Sequence, residues 1–249
     1  MEPLNVEVPS NLDRKYAKRH PELGTGPLPV DDCVSQEYYE LEKKYLFKRA
    51  WICFARNTEL PNVGDYLTKD LSVLDTSITV VRGRDEKLRA FHNYCPHRLN
   101  KINQAGSGNC KGFICHFHGW TFDLDGRLSH LDNEHLFTDF DRKDHGLHGV
   151  HLEEWEGFIF INIEDEPQQS LKEWMGPMYD RFTGYFDGYK LSGHLSVEMD
   201  CNWKLSIDSQ TEAYHAPKLH VRTLGEAVSG QENPTSLFHD VEFFDRHMT

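Results

Sequence analysis

Two short segments of the chain each place a cysteine beside a histidine. The first is Cys95-Pro96-His97, and the second, which follows after seventeen residues, is Cys115-His116-Phe117-His118. Thiolate sulfur and imidazole nitrogen are the protein donors that bind zinc, copper and iron. The pattern therefore predicts a metal centre held by two loops, each supplying one cysteine and one histidine.

Two kinds of metal centre use two thiolates and two imidazoles. Tetrahedral zinc is one, but zinc sites of this type usually take a cysteine pair from one segment and a histidine pair from another. The other is a Rieske [2Fe–2S] cluster, in which two cysteines bind one iron and two histidines bind the second. Because each segment here supplies a mixed pair, two loops can hold a two-iron cluster from opposite sides. We therefore favour the two-iron cluster and keep zinc as the alternative.

The residues around these donors resemble a known family. Cys95-x-His97-Arg98 and Cys115-x-x-His118-Gly119-Trp120 are similar to the Rieske motif of the ring-hydroxylating oxygenase α subunits. The resemblance implies four cluster ligands: Cys95, His97, Cys115 and His118. It favours His118 over its neighbour His116.

Two nearby residues do not follow the motif. Leu99 stands where the family usually has glycine, so we expect a slightly rearranged backbone in the first loop. Cys110 is close to the second loop but outside the motif, and we interpret it as a structural thiol.

A second candidate site is a pair of histidines, His215 and His220, near the end of the chain. Their spacing exceeds one helical turn, and Pro217 between them disfavours a continuous helix. The two imidazoles can therefore reach one metal only if the chain turns between them. Taken alone, a pair with this spacing is more often two ordinary surface or core histidines than a metal site.

The family resemblance extends to this segment. Asn202-Trp203-Lys204, followed by Asp208, Glu212, Tyr214, His215 and His220, looks like the family's mononuclear iron motif. The resemblance implies that His215 and His220 are the imidazoles of a 2-His-1-carboxylate iron site. It implies that Glu212, where aspartate is commoner, joins this site to a Rieske histidine of a neighbouring subunit. Asp208 is a further candidate beside the pocket.

The third iron ligand of the family is a carboxylate well downstream of the second histidine. The acids after Glu232 are Asp240, Glu242 and Asp245, and we assign the ligand to none of them. We therefore expect the chain to be C-terminally truncated. The resemblance covers roughly residues 35–225, with a whole Rieske domain and the opening part of a catalytic domain.

Hydrophobic periodicity predicts the elements that position these residues. Residues 1–34 form an N-terminal arm, and a leading helix over Ser35–Arg49, with Ser35 as N-cap, belongs to a segment 35–50. Short β-rich runs fill residues 51–165, including Ser77–Val81, Leu88–Phe91, Gly112–Cys115 and Gly157–Ile163. The predicted domains are an arm at 1–34, the leading helix at 35–50, a Rieske domain at 51–165 and a partial catalytic domain at 166–249.

Mixed patterns follow the acidic, proline-closed break at residues 164–167. A helical period runs from Ser170 to about Phe182, a strand-like alternation covers His194–Met199, and a helix is predicted from Leu205 to about His215. The predicted fold class is α+β, with a β-rich Rieske domain followed by the first part of a helix-grip-like catalytic domain.

Composition limits the classes of partner. The 249 residues carry 27 Lys+Arg against 40 Asp+Glu, a formal charge of −13, so a nucleic-acid backbone is not an expected partner. No apolar run reaches the ~18 residues of a membrane helix, and no secretory signal is visible. We predict a cytoplasmic protein whose six cysteines are free thiols or metal ligands.

The resemblance implies the terminal component of an oxygenase. A reductase, with or without a ferredoxin, would deliver NAD(P)H electrons to the cluster and then to Fe(II), where O₂ is activated. A small organic substrate would be hydroxylated or demethylated; relatives use aromatic acids, methoxyaromatics and quaternary amines. A homotrimer is implied, with or without a β subunit. Two rivals remain: a Rieske electron-transfer protein without oxygen chemistry, and a zinc-bound structural module.

Overall fold

The structure is a computed structural model that describes residues 30–220, 222–223, 243–244 and 247–248. The chain divides into two compact units, one of residues 40–196 and one of residues 1–39 with 197–249. Most of the predicted N-terminal arm lies outside the described residues. So do the late acids Asp240, Glu242 and Asp245.

Ten strands form two antiparallel sheets in the unit of residues 40–196. In chain order they are β1 (Ile52–Arg56), β2 (Asp65–Leu71), β3 (Thr76–Arg82), β4 (Leu88–His92), β5 (Gly106–Asn109), β6 (Phe113–Ile114), β7 (Thr121–Phe122), β8 (Leu128–His130), β9 (Gly149–Trp155) and β10 (Phe158–Asn162). The larger sheet has the order β1-β10-β9-β4-β3-β2-β5, and β6-β7-β8 form the smaller one. The predicted β-rich runs all fall on these strands.

The larger sheet carries a hydrophobic core on each face. Successive side chains of a strand point to opposite faces, so Ile78 and Val80 of β3 enter one core while Val81 enters the other. The same alternation divides Ala90 from Phe91 on β4. The core on the Val81 side contains Cys95, Cys115 and Trp120 of the two cysteine loops. Both loops therefore pack on the face of the sheet to which the central strand β3 contributes Val81.

The leading helix begins where the sequence predicts and changes form halfway. The backbone N–H of Tyr38 donates to Ser35 Oγ at 3.2 Å, which confirms the predicted cap. The α-helix α2 covers Gln36–Glu42 and continues as a π-helical turn over Lys43–Phe47. A short helix, α1 (Asp31–Val34), precedes it, so this end of the predicted arm is helical.

The helix predicted over Ser170–Phe182 is two helices, α3 (Leu171–Met175) and α4 (Pro177–Arg181). Gly176, with φ of 56°, ends the first, and Pro177 starts the second because its fixed φ suits a first helical turn. Leu171 and Met175 pack in one cluster with Trp51 and Trp155. The predicted domain boundary at residues 165–166 stays a prediction.

The other unit contains the second candidate site. Besides α1, it contains the helices α5 (Trp203–Thr211), which Asn202 caps by accepting from the Lys204 N–H at 3.0 Å, and α6 (Ala216–Leu219). Two short strands, β11 (Phe243–Phe244) and β12 (His247–Met248), pair with each other. The predicted helix therefore starts two residues earlier than Leu205 and ends at Thr211, before His215.

The strand-like segment His194–Met199 is not a strand. Its residues are exposed and have no regular secondary structure. An alternating pattern forms a strand only where a neighbour completes its hydrogen bonds, and no strand of the described residues pairs with this segment. The α+β class is confirmed. Among the described helices, none combines the length and apolar character needed to cross a membrane.

Candidate metal centres

The first cysteine loop is a tight turn between β4 and β5. The backbone N–H of Cys95 donates to the carbonyl of Asn100 at 2.9 Å. The N–H of Leu99 donates back to the carbonyl of Cys95 at 2.8 Å. These two bonds close the turn around the segment that contains His97.

The second cysteine loop, between β6 and β7, has the same hydrogen bonds at the same offsets. The N–H of Cys115 donates to the carbonyl of Trp120 at 2.8 Å, and the N–H of Gly119 donates to the carbonyl of Cys115 at 2.9 Å. The predicted pair of cysteine loops is therefore a pair of matching turns, each presenting one cysteine at its start.

Leu99 and Gly119 occupy equivalent positions, and both have positive φ, 56° and 72°. Glycine adopts this left-handed conformation freely, whereas a residue with a β-carbon loses about 1–2 kcal/mol. The rearrangement expected from Leu99 is therefore wrong: the loop keeps its hydrogen bonds, and the leucine takes the strained conformation with its side chain 70% exposed.

The two cysteines lie side by side in the core and are 1% and 2% exposed. Burial, together with the neighbouring thiol of Cys115, raises the pKa of Cys95 to about 11, while the backbone N–H groups of His97 and Arg98 oppose that rise. The Asn100 side-chain amide donates to Cys115 Sγ at 3.8 Å. Two buried sulfurs with N–H donors directed at them form a pair suited to one metal ion, which would displace the thiol protons on binding.

The two histidines lie nearer the surface and face each other. The ring centroids of His97 and His118 are 4.7 Å apart. The Nδ1 atom of His97 is buried and has no hydrogen-bond partner, so its lone pair is available to a metal. Burial, then the proximity of His118 and Arg98, lowers the pKa of His97 and favours the neutral imidazole that binds metals.

The donors therefore pair like with like: sulfur with sulfur in the core and imidazole with imidazole at the rim. Among the described residues, no group of three or more His, Cys, Asp or Glu side chains surrounds a single point. The arrangement fits a two-iron cluster, in which each iron takes two protein ligands. Cys110 is half-buried against the same core, where burial raises its pKa, in agreement with the structural thiol expected.

Asn93 anchors the first loop and was not predicted from the sequence. Its buried side chain donates to Ser77 Oγ at 3.0 Å and to the carbonyl of Asn103 at 2.8 Å, and it accepts from the Asn103 N–H at 3.0 Å. These bonds tie both ends of the loop to central strand β3. An asparagine two residues before a cysteine gives no sequence signal for this role.

The second candidate site brings its two histidines together across helix α6. His215 and His220 flank this helix, and their ring centroids are 5.2 Å apart. Pro217 lies in the first turn of α6, where a missing N–H is tolerated, so it begins a helix and does not break one. The turn required for a shared metal is present.

Glu212 contacts His215 directly. One carboxylate oxygen is hydrogen-bonded to His215 Nδ1, and the other accepts from the His215 backbone N–H at 3.2 Å. The bond to His215 lowers the pKa of Glu212. With Nδ1 occupied, Nε2 of His215 is the nitrogen left for a metal. Asp208 is exposed on α5, and no hydrogen bond among the described residues joins its carboxylate to either histidine.

Comparison with known proteins finds a family match over each of the two segments that contain the candidate sites. Residues 50–140 match the family described as "Rieske [2Fe-2S] domain", and residues 186–249 match "Ring hydroxylating alpha subunit (catalytic domain)". The β-rich unit and its paired loops thus define a Rieske iron–sulfur protein. The presence of both matches in one chain narrows the class further. The chain belongs to the family of Rieske oxygenase α subunits, whose cofactors are a Rieske [2Fe–2S] cluster and a mononuclear iron.

Similar proteins include monooxygenase subunits that are named for quaternary amines. The carnitine monooxygenase oxygenase subunit of Escherichia coli K12 is 36% identical over 197 residues, which are 78% of this chain and 52% of that protein. The glycine betaine monooxygenase oxygenase subunit of Chromohalobacter salexigens is 31% identical over 82% of this chain and 45% of its own length.

A solved quaternary ammonium Rieske monooxygenase in complex with its substrate gamma-butyrobetaine superposes with a TM-score of 0.72 at 32% identity. The match covers 78% of this chain and 56% of that one. The chain thus spans about half the length of the curated relatives it matches.

Proposed function

We propose that this protein is the terminal component of an oxygenase that hydroxylates or demethylates a small organic substrate with O₂. The supporting observation is that one chain contains two sets of candidate metal ligands. The first is two matching loops that each hold one cysteine and one histidine, and the second is a pair of histidines with a carboxylate hydrogen-bonded to one of them. An electron carrier needs only the first set. The alternative, a Rieske electron-transfer protein, is therefore less favoured. The zinc module is less favoured because one zinc ion needs all four donors around a single point, and no three donors of the described residues surround one point.

We propose that Cys95 and Cys115 bind the inner iron of the cluster and that His97 and His118 bind the outer iron. When bound, the cluster supplies one-electron transfer and the mononuclear iron supplies O₂ activation. The buried thiolates hold the cluster in the core, and the imidazole pair provides the solvent-facing edge. Short-range electron exchange requires such an accessible edge.

At the second site, His215 and His220 are the proposed iron ligands. Glu212 would fix the ring of His215 through Nδ1, so that Nε2 keeps one orientation and increased basicity. Glu212 is also the proposed link to a Rieske histidine of a neighbouring subunit. Asp208 is proposed only as a carboxylate beside the pocket.

The proposed substrate is a small quaternary ammonium compound. Relatives at 31–36% identity are named for carnitine and glycine betaine, and a structurally similar enzyme is bound to gamma-butyrobetaine. Such substrates would lose an N-methyl group or be cleaved after hydroxylation beside nitrogen. Incubation with carnitine, glycine betaine and benzoate, followed by product analysis, would separate this class from aromatic acids.

The proposed partners follow from the same chemistry. A reductase would supply NAD(P)H electrons, directly or through a ferredoxin. A homotrimer, with or without a β subunit, would place the cluster of one subunit beside Glu212 of the next. The cytoplasmic location stays a prediction.

Iron analysis combined with electron paramagnetic resonance tests the ligand assignments. The reconstituted protein should hold about three irons per chain, two in the cluster and one at the histidine pair. His97→Ala and His118→Ala should abolish the reduced Rieske signal, whereas His116→Ala, the matched control, should retain it. His215→Ala should lose one iron and keep that signal.

Two results would contradict the proposal. A signal that survives unchanged in both Rieske histidine variants would refute those ligands. Two irons per chain, with a Rieske signal and no product from any substrate, would favour the electron-transfer protein.

A further inference from the structure

The segment between β8 and β9, residues 131–148, covers one side of Trp120, and we name it the cover loop. Three of its aromatic rings meet Trp120 edge to face: Phe137 at 6.3 Å, Phe140 at 5.8 Å and His145 at 5.9 Å between ring centroids. Phe140 also stacks on His145 at 4.3 Å. Trp120, which also packs in the core beside the cysteine loops, is only 4% exposed.

Trp120 in turn covers the ring of His97. The two rings are stacked, 4.9 Å apart with an interplanar angle of 7°. The cover loop therefore forms the outer layer of a stack whose inner member is a proposed cluster ligand. The stacked indole ring shields this face of His97 from water, and the cover loop packs against that indole.

Arg142 holds the cover loop closed. Its guanidinium donates to both carboxylate oxygens of Glu134, at 2.8 Å from Nε, and to the carbonyl of Ser129 at 2.6 Å. Glu134 and Arg142 start the two 3-10 turns of the loop, while Ser129 lies on β8. One planar side chain thus joins both parts of the loop to the small sheet β6-β7-β8, whose strand β7 begins directly after Trp120. No other type of side chain offers this set of donors.

Because this ion pair is exposed, we expect it to act by fixing the geometry of the loop and not by adding stability. The side chains of Arg142 and Glu134 are 40% and 39% exposed, and exposed pairs contribute little to global stability. A bidentate bond nonetheless fixes direction precisely. Its consequence is the placement of Phe137 and Phe140 over Trp120.

We propose that Arg142 is a positioning residue that sets the reduction potential of the cluster by holding the cover loop over Trp120 and His97. The inference rests on the proposed ligand role of His97. A cluster held by two thiolates and two neutral imidazoles carries no net charge when oxidised and one negative charge when reduced. Excluding water from its histidine side therefore disfavours the reduced form and lowers the potential.

The test is the paired variant Arg142→Ala with Glu134→Ala, which removes one positive and one negative charge and leaves net charge unchanged. Redox titration should show a higher potential, with reduction favoured about threefold to tenfold, where tenfold equals 59 mV for one electron. The g-values of the reduced cluster should shift with it. The matched control removes another exposed ion pair of the same unit, Lys172–Asp180 at 2.9 Å, and should leave the potential unchanged.

Arg142→Lys keeps the charge but not the bidentate geometry, and should give an intermediate potential. Phe140→Ala, which leaves the ion pair intact and opens the cover directly, should raise the potential like the paired variant. It serves as the second test where the paired variant does not fold.

The outcomes separate the inference from the proposed function. Absence of a Rieske signal in the unmodified protein would mean that the ligand assignment fails. A normal cluster whose potential is the same in the unmodified protein, the paired variant and Phe140→Ala would overturn the inference alone. A shift of equal size in the Lys172–Asp180 control would overturn it too.

Discussion

Replacing Leu99 isolates the energy of one backbone conformation beside the cluster. Leu99 has φ of 56°, in the left-handed region, where a β-carbon costs about 1–2 kcal/mol. Glycine removes that cost, but it also increases the conformational freedom of the unfolded chain. This second effect lowers the free energy of unfolding by about 0.4–1 kcal/mol. The side chain is 70% exposed, so little burial is lost. We expect Leu99→Gly to be more stable than Leu99→Ala by about 0.5–1 kcal/mol.

The alanine variant is the reference because both substitutions remove the same leucine contacts and differ only at the β-carbon. Gly119→Ala provides the mirror experiment in the matching loop. A β-carbon there would lie 3.7 Å from the Asp132 carboxylate, an ordinary contact, so only the φ of 72° is penalised. Gly119→Ala should therefore lower the free energy of unfolding. The size of this decrease should be about equal to the difference in that free energy between Leu99→Gly and Leu99→Ala.

Urea denaturation, followed by loss of the cluster's visible absorption, measures these differences, and melting temperatures should differ by about 2–4 °C per kcal/mol. Cluster content should be equal in all variants. If Leu99→Gly were less stable than Leu99→Ala, the left-handed strain argument would be refuted and the leucine side chain would have to contribute contacts of its own.

Three further predictions concern side-chain hydrogen bonds. Asn100→Ala removes the amide donor to Cys115 Sγ and should lower the cluster potential in a redox titration, since N–H donors stabilise the reduced form; an unchanged potential would show that the bond is not made to the cluster. Glu212→Gln should keep both metals while slowing electron passage between them, and an unaffected single-turnover rate would count against a bridging role. The hydrogen bond from Arg142 lowers the pKa of Glu134, so stability from this pair is present above the unfolded carboxyl pKa of about 4.3 and disappears as the pH falls below it. Because the pair is exposed, the urea midpoints of the unmodified protein and Glu134→Gln should differ only slightly near pH 7 and should converge in acid. A constant nonzero difference from pH 7 to pH 3 would contradict this.

The proposed metal ligands could be selected from the sequence because they combine donor chemistry with local spacing. Cys95 and His97 lie within one turn, as do Cys115 and His118, so their proximity needs no knowledge of the fold. The strands are predictable for a related reason, since alternation along β3 reports two buried faces. The strand order is not, because pairing such as β1 with β10 joins residues about a hundred positions apart.

The residues that hold the two loops in place cannot be predicted from the sequence, because they also contact residues that are distant along the chain. Asn93 binds Ser77 and Asn103, and Arg142 binds Ser129 and Glu134, contacts that exist only after the chain has folded. The failed strand at His194–Met199 shows the converse. Its alternation is a real local signal, but strand formation depends on a partner that local sequence does not specify.

The two loops combine similar backbones with different surroundings, and that difference determines what each metal ligand can do. Matching turns place Cys95 and Cys115 in the core, where low polarity disfavours thiolate charge unless a metal neutralises it. The same turns place His118 in solvent, while His97 is held beneath Trp120. A cluster in this position would exchange electrons through the exposed imidazole and be tuned through the covered one. Substitutions around His118 should therefore alter partner contacts, whereas substitutions in the cover loop should alter the potential.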